Sequence, residues 1–433
     1  MTPSGTSAQK WDAAGLAVAG LALSGVLPSL WTKSFAYAPP APDIVSFGPL
    51  LMVMVIHMLL RFRSTVVGSV AAWPWTALAA LAVASVLWSV SANDTLREAG
   101  VVAVAVPYLA MIAMRLSWRT IVSTLWALGL AVLLFAVLLY LVAPEFGTQR
   151  GDYEGALVGP WFEKNAAGQF GLWVAGLSVA MGAMRPKRLI PAAGAFALCL
   201  GFIVLTRSAT SLLAALTLAP VAVWVALMRR PRLLSLPMLW LSLAAVVPIV
   251  VTLLSSSDEL LALLGRQSTL TGRVPIWTAL ESYALGERPL MGHGYGAYWS
   301  EDVHYGRRAF VFDALGFQAR HAHNAWLEMR LALGWPGGLL LIAAFAQGLV
   351  MSVVRLRGTV GSYFALPFLL AAFLVGLVET SVANPSQWGG MLFVLVLAKA
   401  SLSPRADDAV SGWSGLKAGF LPQPQLARGA ATV

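Results

Sequence analysis

The stretch at residues 121–143, IVSTLWALGLAVLLFAVLLYLVA, decides the fold class of this chain. It contains 23 residues and no charged side chain. At ~1.5 Å of rise per residue, it is long enough to cross the ~30 Å hydrocarbon core of a bilayer. Lipid offers no hydrogen-bond partner to backbone N–H and C=O groups, so such a segment must cross as a helix. The stretch therefore predicts a membrane-spanning α-helix.

Similar apolar stretches recur along most of the chain. Of its 433 residues, 58% are hydrophobic and 11% are charged, too few charges to give a soluble protein of this length a charged surface. We therefore expect an all-α, polytopic membrane protein with about twelve transmembrane helices. The predicted spans are 13–31, 44–60, 66–90, 99–114, 121–143, 168–184, 189–205, 208–228, 233–255, 324–354, 361–379 and 386–402.

Basic residues mark every second junction between these spans. Short clusters follow spans 2, 4, 6, 8 and 10, and the first of them is Arg61 with Arg63. By the positive-inside rule, both termini then lie in the cytoplasm. Topology thus accounts for the net charge of +10, and no nucleic-acid partner is expected.

Two long connections face outward in this topology, at 144–167 and 256–323, and the second is expected to be largely helical. Connections of this length exceed what a simple link between helices needs. We assign 1–402 to a transmembrane catalytic domain that includes both loops. Residues 403–433 are rich in Pro, Gly and Ala and predict a disordered cytoplasmic tail.

The sequence HAHNAWLE at 321–328 leads into the tenth span. A continuous helix from His323 to Val354 would measure about 47 Å, longer than the bilayer core. It must tilt, protrude or break, and the sequence GWPGG at 334–338 is where a break is expected, because Pro lacks an N–H and Gly weakens a helix. His323 then lies at the outer mouth of the span, where an imidazole with an ordinary pKa of ~6.5 can accept a proton.

Two other interpretations of the histidines are open from the residues alone. His323 could be an interfacial residue that hydrogen-bonds a loop carbonyl. Alternatively, His321 and His323 could join His293, His304 and neighbouring carboxylates around zinc or manganese. However, an i,i+2 pair points to one face only in an extended segment, and we predict no metal site.

Outward-facing arginines form a second group of candidates. Arg207 is the most informative, because the hairpin that carries it is too short to take the side chain away from the outer membrane surface. A guanidinium there suits a phosphate or diphosphate group, which it binds bidentately; the alternative is contact with ordinary phospholipid head groups. The group comprises Arg150, Arg207, Arg266, Arg273, Arg288, Arg307, Arg308 and Arg320.

Several short motifs resemble the O-antigen ligase and polymerase superfamily over roughly 160–400. They are EKNAAG at 163–168, TGRVPIW at 271–277, RPLMGHGYG at 288–296, HNAWLE at 323–328 and GWPG at 334–337. The resemblance implies a fold similar to other multispan transferases with polyprenyl-linked donors. It also implies glycosyl transfer on the periplasmic face of a bacterial inner membrane.

The resemblance assigns roles to residues. His323 matches a proposed general base, while Arg207 and Arg288 match basic positions expected to hold a diphosphate leaving group. Substrate-binding roles are expected for Arg150, Arg273, His321, Asn324, Lys164 and Asn165.

The resemblance also implies the reaction. The donor is a glycan on undecaprenyl diphosphate, and the acceptor is a hydroxyl of the lipid A–core oligosaccharide. Transfer inverts the anomeric carbon, and no ATP, metal or other cofactor is expected. Membrane lipids are the remaining partners.

Two alternatives accompany the ligase interpretation. An O-antigen or exopolysaccharide polymerase of the same superfamily would extend a growing chain. Such polymerases often carry Arg-x10-Gly pairs in two outer loops, but Trp161 and Gln318 stand eleven positions after Arg150 and Arg307. A twelve-span chain also has the shape of a secondary transporter. His57 is its main ionisable residue within a span, and the pattern favours a packing role.

Overall fold

The computed structural model describes residues 7–27, 29–30, 43–151, 153–229, 273–300, 311, 314–315 and 319–408. These residues form α-helices joined by turns, short 3-10 segments and one isolated antiparallel bridge, Thr148 with Leu157. The helices are α1 Ser7–Ala22, α2 Asp43–Leu60, α3 Phe62–Ala71, α4 Trp73–Ala84, α5 Ala92–Arg115, α6 Trp118–Val142, α7 Pro144–Gly147, α8 Lys164–Met184, α9 Leu189–Thr206, α10 Ala209–Met228, α11 Arg273–Tyr283, α12 Ala325–Val354, α13 Ser362–Gly376 and α14 Trp388–Ser401.

Six helices of the described part are long and apolar enough to cross a membrane: α5, α6, α8, α9 with the turn before it, α10 and α12. A bent pair, α2 with α3, would be a seventh, and three shorter helices are also apolar. The chain is therefore an all-helical, multi-pass membrane protein. The predicted span 233–255 lies outside the described residues, and the count of twelve stays a prediction.

The N-terminal third departs from the predicted spans. Helices α2 and α3 meet at an angle of 99°, and the predicted third span, 66–90, is divided between α3 and α4. The division falls at Ala72, because Pro74 lies in the first turn of α4 and has no N–H to continue the preceding helix. This region is thus built from short helices instead of one long span.

Helix α8 is the centre of the bundle. Of its most apolar 18 residues, 89% are buried, compared with 28% for α6. It packs against α6, α9, α10 and α13, and the approach is close because glycines lie on its surface. A Cβ at Gly171 would meet Phe202 and Ile203 of α9. The packing of α8 on these helices therefore fixes the position of its N-terminal end, where Asn165 is half-buried.

Helix α12 confirms the break predicted from its length. Gly334 has φ 66° and ψ −161°, which interrupts the helix. The carbonyl oxygens freed at Leu331 and Ala332 accept hydrogen bonds from the backbone N–H groups of His293 and Gly294, each at 2.9 Å. A buried helix break needs such partners, so the segment around 293 and the break stabilise each other.

The predicted tail begins as an ordered segment. Asp408 is buried, and its Oδ1 accepts a hydrogen bond from the Trp118 backbone N–H at 2.7 Å. Lys399 of α14 lies 3.4 Å from the other carboxylate oxygen. These contacts fix residues up to 408 against α6 and α14, and 409–433 lie outside the described residues.

Candidate functional site

His323 directly precedes the N-terminal end of α12. Asn324 caps this helix: its Oδ1 accepts hydrogen bonds from the backbone N–H groups of Trp326 and Leu327, at 3.0 and 3.1 Å. Its Nδ2 donates to the carbonyl of Leu377, beyond the end of α13, at 3.0 Å. The structure thus gives Asn324 a capping role that fixes His323, and its predicted contact with substrate stays a prediction.

Backbone strain coincides with two of the predicted site residues. Within the described part of the chain, Arg207 and His323 are the non-glycine residues with positive φ, at 53° and 48°. This left-handed region is disfavoured for residues with a Cβ and costs about 1–2 kcal/mol. A left-handed residue is a common end of a helix, which accounts for Arg207 after α9; His323 ends no helix, and outliers of that kind occur preferentially at functional sites.

Glu379 connects the predicted site residues. Its Oε1 accepts hydrogen bonds from Arg273 Nη2 at 2.5 Å and from Asn165 Nδ2 at 3.0 Å. Its Oε2 lies 3.5 Å from His323 Nδ1. Four elements that are distant in sequence therefore meet at one carboxylate, whose side chain is 5% exposed.

The charge of Glu379 follows from these neighbours. Burial raises the pKa of its carboxyl, but the neighbouring His323 and the Arg273 guanidinium outweigh burial, so the pKa lies below its usual range. The group is therefore an anion at neutral pH. A carboxylate beside one ring nitrogen fixes the tautomer of a histidine. Here Nδ1 of His323 would carry the proton, and Nε2 would be the free base.

His321 lies against His323. Their ring centroids are 3.9 Å apart, and His321 Nδ1 accepts a hydrogen bond from the His323 backbone N–H at 3.3 Å. Burial, followed by the neighbouring His323, lowers the pKa of His321 to about 4. His321 is thus neutral at pH 7, with its Nε2 as a donor.

The same residues could hold a divalent cation. One ligand atom each from His321, His323 and Glu379 lies within 4.8 Å of the others, and two imidazoles with a carboxylate suit zinc or manganese. The Arg273 guanidinium already binds one Glu379 oxygen, and its positive charge opposes a second cation. The absence of a metal requirement stays a prediction.

Two basic residues, Arg207 and Lys164, lie together near the start of α8. Arg207 ends α9, and its backbone carbonyl accepts a hydrogen bond from Lys164 Nζ at 3.1 Å. Arg207 Nη1 donates to the Glu154 carbonyl at 3.3 Å. Lys164 is adjacent in sequence to Asn165, whose side chain binds Glu379.

Arg288 contacts a different part of the protein from Arg207. Its Nη1 donates to the Trp88 carbonyl at 2.9 Å. The glycines of the 288–296 motif explain its position: a Cβ at Gly292 would overlap the Ala332 carbonyl at the helix break, and one at Gly296 would meet Glu98. The motif therefore packs an outer segment onto α5 and α12, and the described contacts do not bring Arg288 to Arg207.

Of the two remaining described arginines, Arg320 is exposed and lines the cavity described below, and Arg150 is also exposed. It follows Gln149, whose side-chain oxygen accepts a hydrogen bond from the Lys164 backbone N–H at 2.9 Å. Arg150 thus lies near the basic pair but on the surface. Arg266, Arg307 and Arg308 lie outside the described residues.

A cavity of about 340 Å³ adjoins the cluster. His321, Glu379 and Asn165 form part of its wall, and Trp161, Phe170 and Trp388 contribute aromatic rings. Aromatic faces beside amide and carboxylate groups suit a sugar ring, because the rings contact its C–H faces and the polar groups bind its hydroxyls.

An apolar groove of about 680 Å³ begins close by. Its walls come from α12 and α13, and its outer limits are Trp326 and Leu377. These lie three residues after His323 and two before Glu379. The break in α12 brings Trp326 against Phe345, with ring centroids 5.1 Å apart. The groove therefore leads from the cluster along the surface of two apolar helices.

Sequence reasoning missed Glu379. The sequence places it at the end of the span 361–379, but α13 ends at Gly376 and leaves Glu379 outside the helix. A single carboxylate after an uncharged apolar stretch, at the outer end, was the available signal. Its partners at positions 165, 273 and 323 could not be read from local pattern.

Comparison with known proteins agrees with the earlier resemblance. Residues 194–342 match the family described as O-antigen ligase, a range that includes Arg207, Arg288 and His323. The chain is 26% identical over 385 residues to the exopolysaccharide production protein ExoQ of Rhizobium meliloti, which covers 85% of each chain. The chain therefore carries an O-antigen ligase domain and is a distant homologue of this exopolysaccharide production protein.

Proposed function

We propose that this chain is an inverting glycosyltransferase that transfers a glycan from a polyprenyl diphosphate to a sugar hydroxyl on the periplasmic face of the bacterial inner membrane. The observation that carries the proposal is the His323–Glu379 contact at 3.5 Å, beside a cavity with aromatic and polar walls and next to an apolar groove. A transferase with a lipid-linked donor needs these three features together.

In the proposed reaction, the acceptor hydroxyl gives its proton to Nε2 of His323. Its oxygen attacks the anomeric carbon while the bond from that carbon to the diphosphate oxygen breaks, and the electron pair leaves with the diphosphate. Glu379 stabilises the imidazolium that forms. Arginines would neutralise the departing diphosphate, and Arg207 and Arg288 are the candidates for this role.

The apolar groove supplies a place for the donor's polyprenyl chain. Its ten lining residues carry no charge, so an isoprenoid chain in the groove would cover no charged side chain. With the chain in the groove, the diphosphate would lie near Trp326 and Leu377, within a few residues of His323 and Glu379. The reactive end of the donor would thus reach the base.

Two acceptors are consistent with this chemistry. Similarity over 85% of each chain to an exopolysaccharide production protein favours a growing exopolysaccharide on its carrier, and we propose this acceptor first. Ligation to the lipid A–core oligosaccharide, as predicted from the sequence, is the second candidate. It is supported by the O-antigen ligase domain at 194–342.

Reconstitution with purified components tests the proposal. The full chain is incubated with an undecaprenyl-diphosphate glycan and rough lipopolysaccharide, with chelator and without nucleotide. A lengthened glycan on the carrier establishes polymerisation, and laddered lipopolysaccharide establishes ligation. A product that forms only without chelator would refute metal independence, and no product from either acceptor would refute the transferase proposal in favour of transport.

A further inference from the structure

A second, smaller cavity of about 230 Å³ lies beside the first. It is enclosed by the start of α5, the segment around 295–299, the start of α12 and the turn at 380–387. Nothing in the proposed donor chemistry uses it. It is smaller than the ~300–1,000 Å³ pockets that take whole drug-sized ligands, so it suits one terminal unit of a larger molecule.

The two cavities share a wall. Arg320, His321, Thr380 and Gln387 line both of them. His321 in turn stacks on His323, with ring centroids 3.9 Å apart. A ligand group in the second cavity would therefore lie against His321, which stacks on His323.

The second cavity is polar on several sides and carries carboxylate, amide and guanidinium groups. Two carboxylates, Glu98 and Glu328, line it together with Asn384 and the indole of Trp299. Glu328 positions that indole, because its Oε1 accepts a hydrogen bond from Trp299 Nε1 at 2.9 Å. Its Oε2 accepts the backbone N–H of Ala322 at 2.7 Å. A carboxylate has about four lone-pair sites, so hydroxyl groups can still bind there.

The chemistry of this lining suits a sugar. Carboxylates and amides accept hydrogen bonds from sugar hydroxyls, the Arg320 guanidinium can donate to them, and an indole face contacts the C–H groups of a sugar ring. We propose that the second cavity binds the terminal sugar of the acceptor glycan, while the first cavity takes the donor sugar. The inference rests on the proposed glycosyl transfer, and it assigns Glu98 and Trp299 to acceptor recognition.

Kinetics with separate substrates test this assignment. Glu98→Leu and the milder Glu98→Gln remove the carboxylate, and Glu145→Gln, an exposed carboxylate of α7, is the matched control. We expect Glu98→Leu to raise the KM for the acceptor at least tenfold and to leave the KM for the donor within twofold. An unchanged acceptor KM in both Glu98 variants, or an equal rise for donor and acceptor, would overturn the assignment.

A binding measurement separates this inference from the transfer reaction. Saturation-transfer NMR on the purified full chain, with methyl β-D-glucoside and methyl β-D-galactoside as probes, needs no turnover. We expect saturation transfer to at least one probe in wild type and Glu145→Gln and its loss in Glu98→Leu, with the thermal midpoints unchanged. Absence of transfer in wild type, or equal transfer in Glu98→Leu, would refute the sugar subsite even if the chain is a transferase.

Discussion

Among the residues that the structure describes, the protein holds a carboxylate–histidine pair at each end, and the outer pair adjoins a cavity of about 340 Å³. At the predicted cytoplasmic end, Asp12 is fully buried, with His57 at 3.0 Å and Arg115 at 2.7 Å. At the outer end, Glu379 lies 3.5 Å from His323 and 2.5 Å from Arg273. The two clusters have the same chemical groups, so composition alone does not distinguish them.

Access to a cavity distinguishes the two clusters. The outer cluster opens into a cavity of about 340 Å³, and a groove begins beside it. Asp12, His57 and Arg115 line neither this cavity, nor the groove, nor the second cavity. A buried ion pair without access holds helices together, whereas the same pair beside a cavity can act on a ligand.

Replacement of the two histidines should give the largest contrast. We expect His323→Ala to lower the transfer rate by about 10²–10⁴-fold, because a general base contributes that much, with insertion and thermal midpoint retained. His57→Ala should keep the rate per folded molecule and lower the midpoint, because Asp12 and Tyr108 lose a hydrogen-bond partner. Normal transfer by His323→Ala would refute the role of base.

Replacement of the two carboxylates sharpens the comparison further. Glu379→Gln keeps the shape but removes the charge that orients His323, and we expect the transfer rate to fall roughly 10–100-fold. Asp12→Asn should lower the free energy of unfolding by roughly 3–5 kcal/mol, because Arg115 is left without its buried partner. Rates per folded molecule and chemical denaturation in detergent measure the two effects. Equal effects of both substitutions on both quantities would remove the distinction between the ends.

A fall in pH should lower the free energy of unfolding through the histidines at the outer end. The pKa of His321 is about 4 in the folded protein and ~6.5 when unfolded. Below pH 6.5 the unfolded chain therefore takes up a proton that the folded chain does not, and stability falls until about pH 4. Between pH 7 and pH 5 we expect a loss of about 2 kcal/mol from this group. Burial also lowers the pKa of His293, which adds in the same direction.

Denaturation curves at the two pH values measure this loss. His321→Gln, which cannot titrate, should show a smaller loss than wild type over the same interval. An identical loss in both proteins would mean that other groups cause the pH dependence.

The sequence by itself determined the features that depend on local chemistry. Apolar stretches without charge can only be helices in lipid, so the all-helical, multi-pass fold followed directly. The break in α12 followed from the length of the apolar stretch and from the Gly and Pro residues at 334–338. The histidines before α12 were candidates because imidazole titrates near neutral pH.

Only the tertiary structure decided which distant residues meet. Glu379 joins Asn165 and Arg273 across separations of 214 and 106 residues, and no periodicity encodes such contacts. It also placed Arg207 and Arg288 in contact with different segments of the chain. Asn324 became a helix cap. Helices in a membrane pack through small residues and shape, so the arrangement of their ends, and with it the site, is a property of the whole bundle.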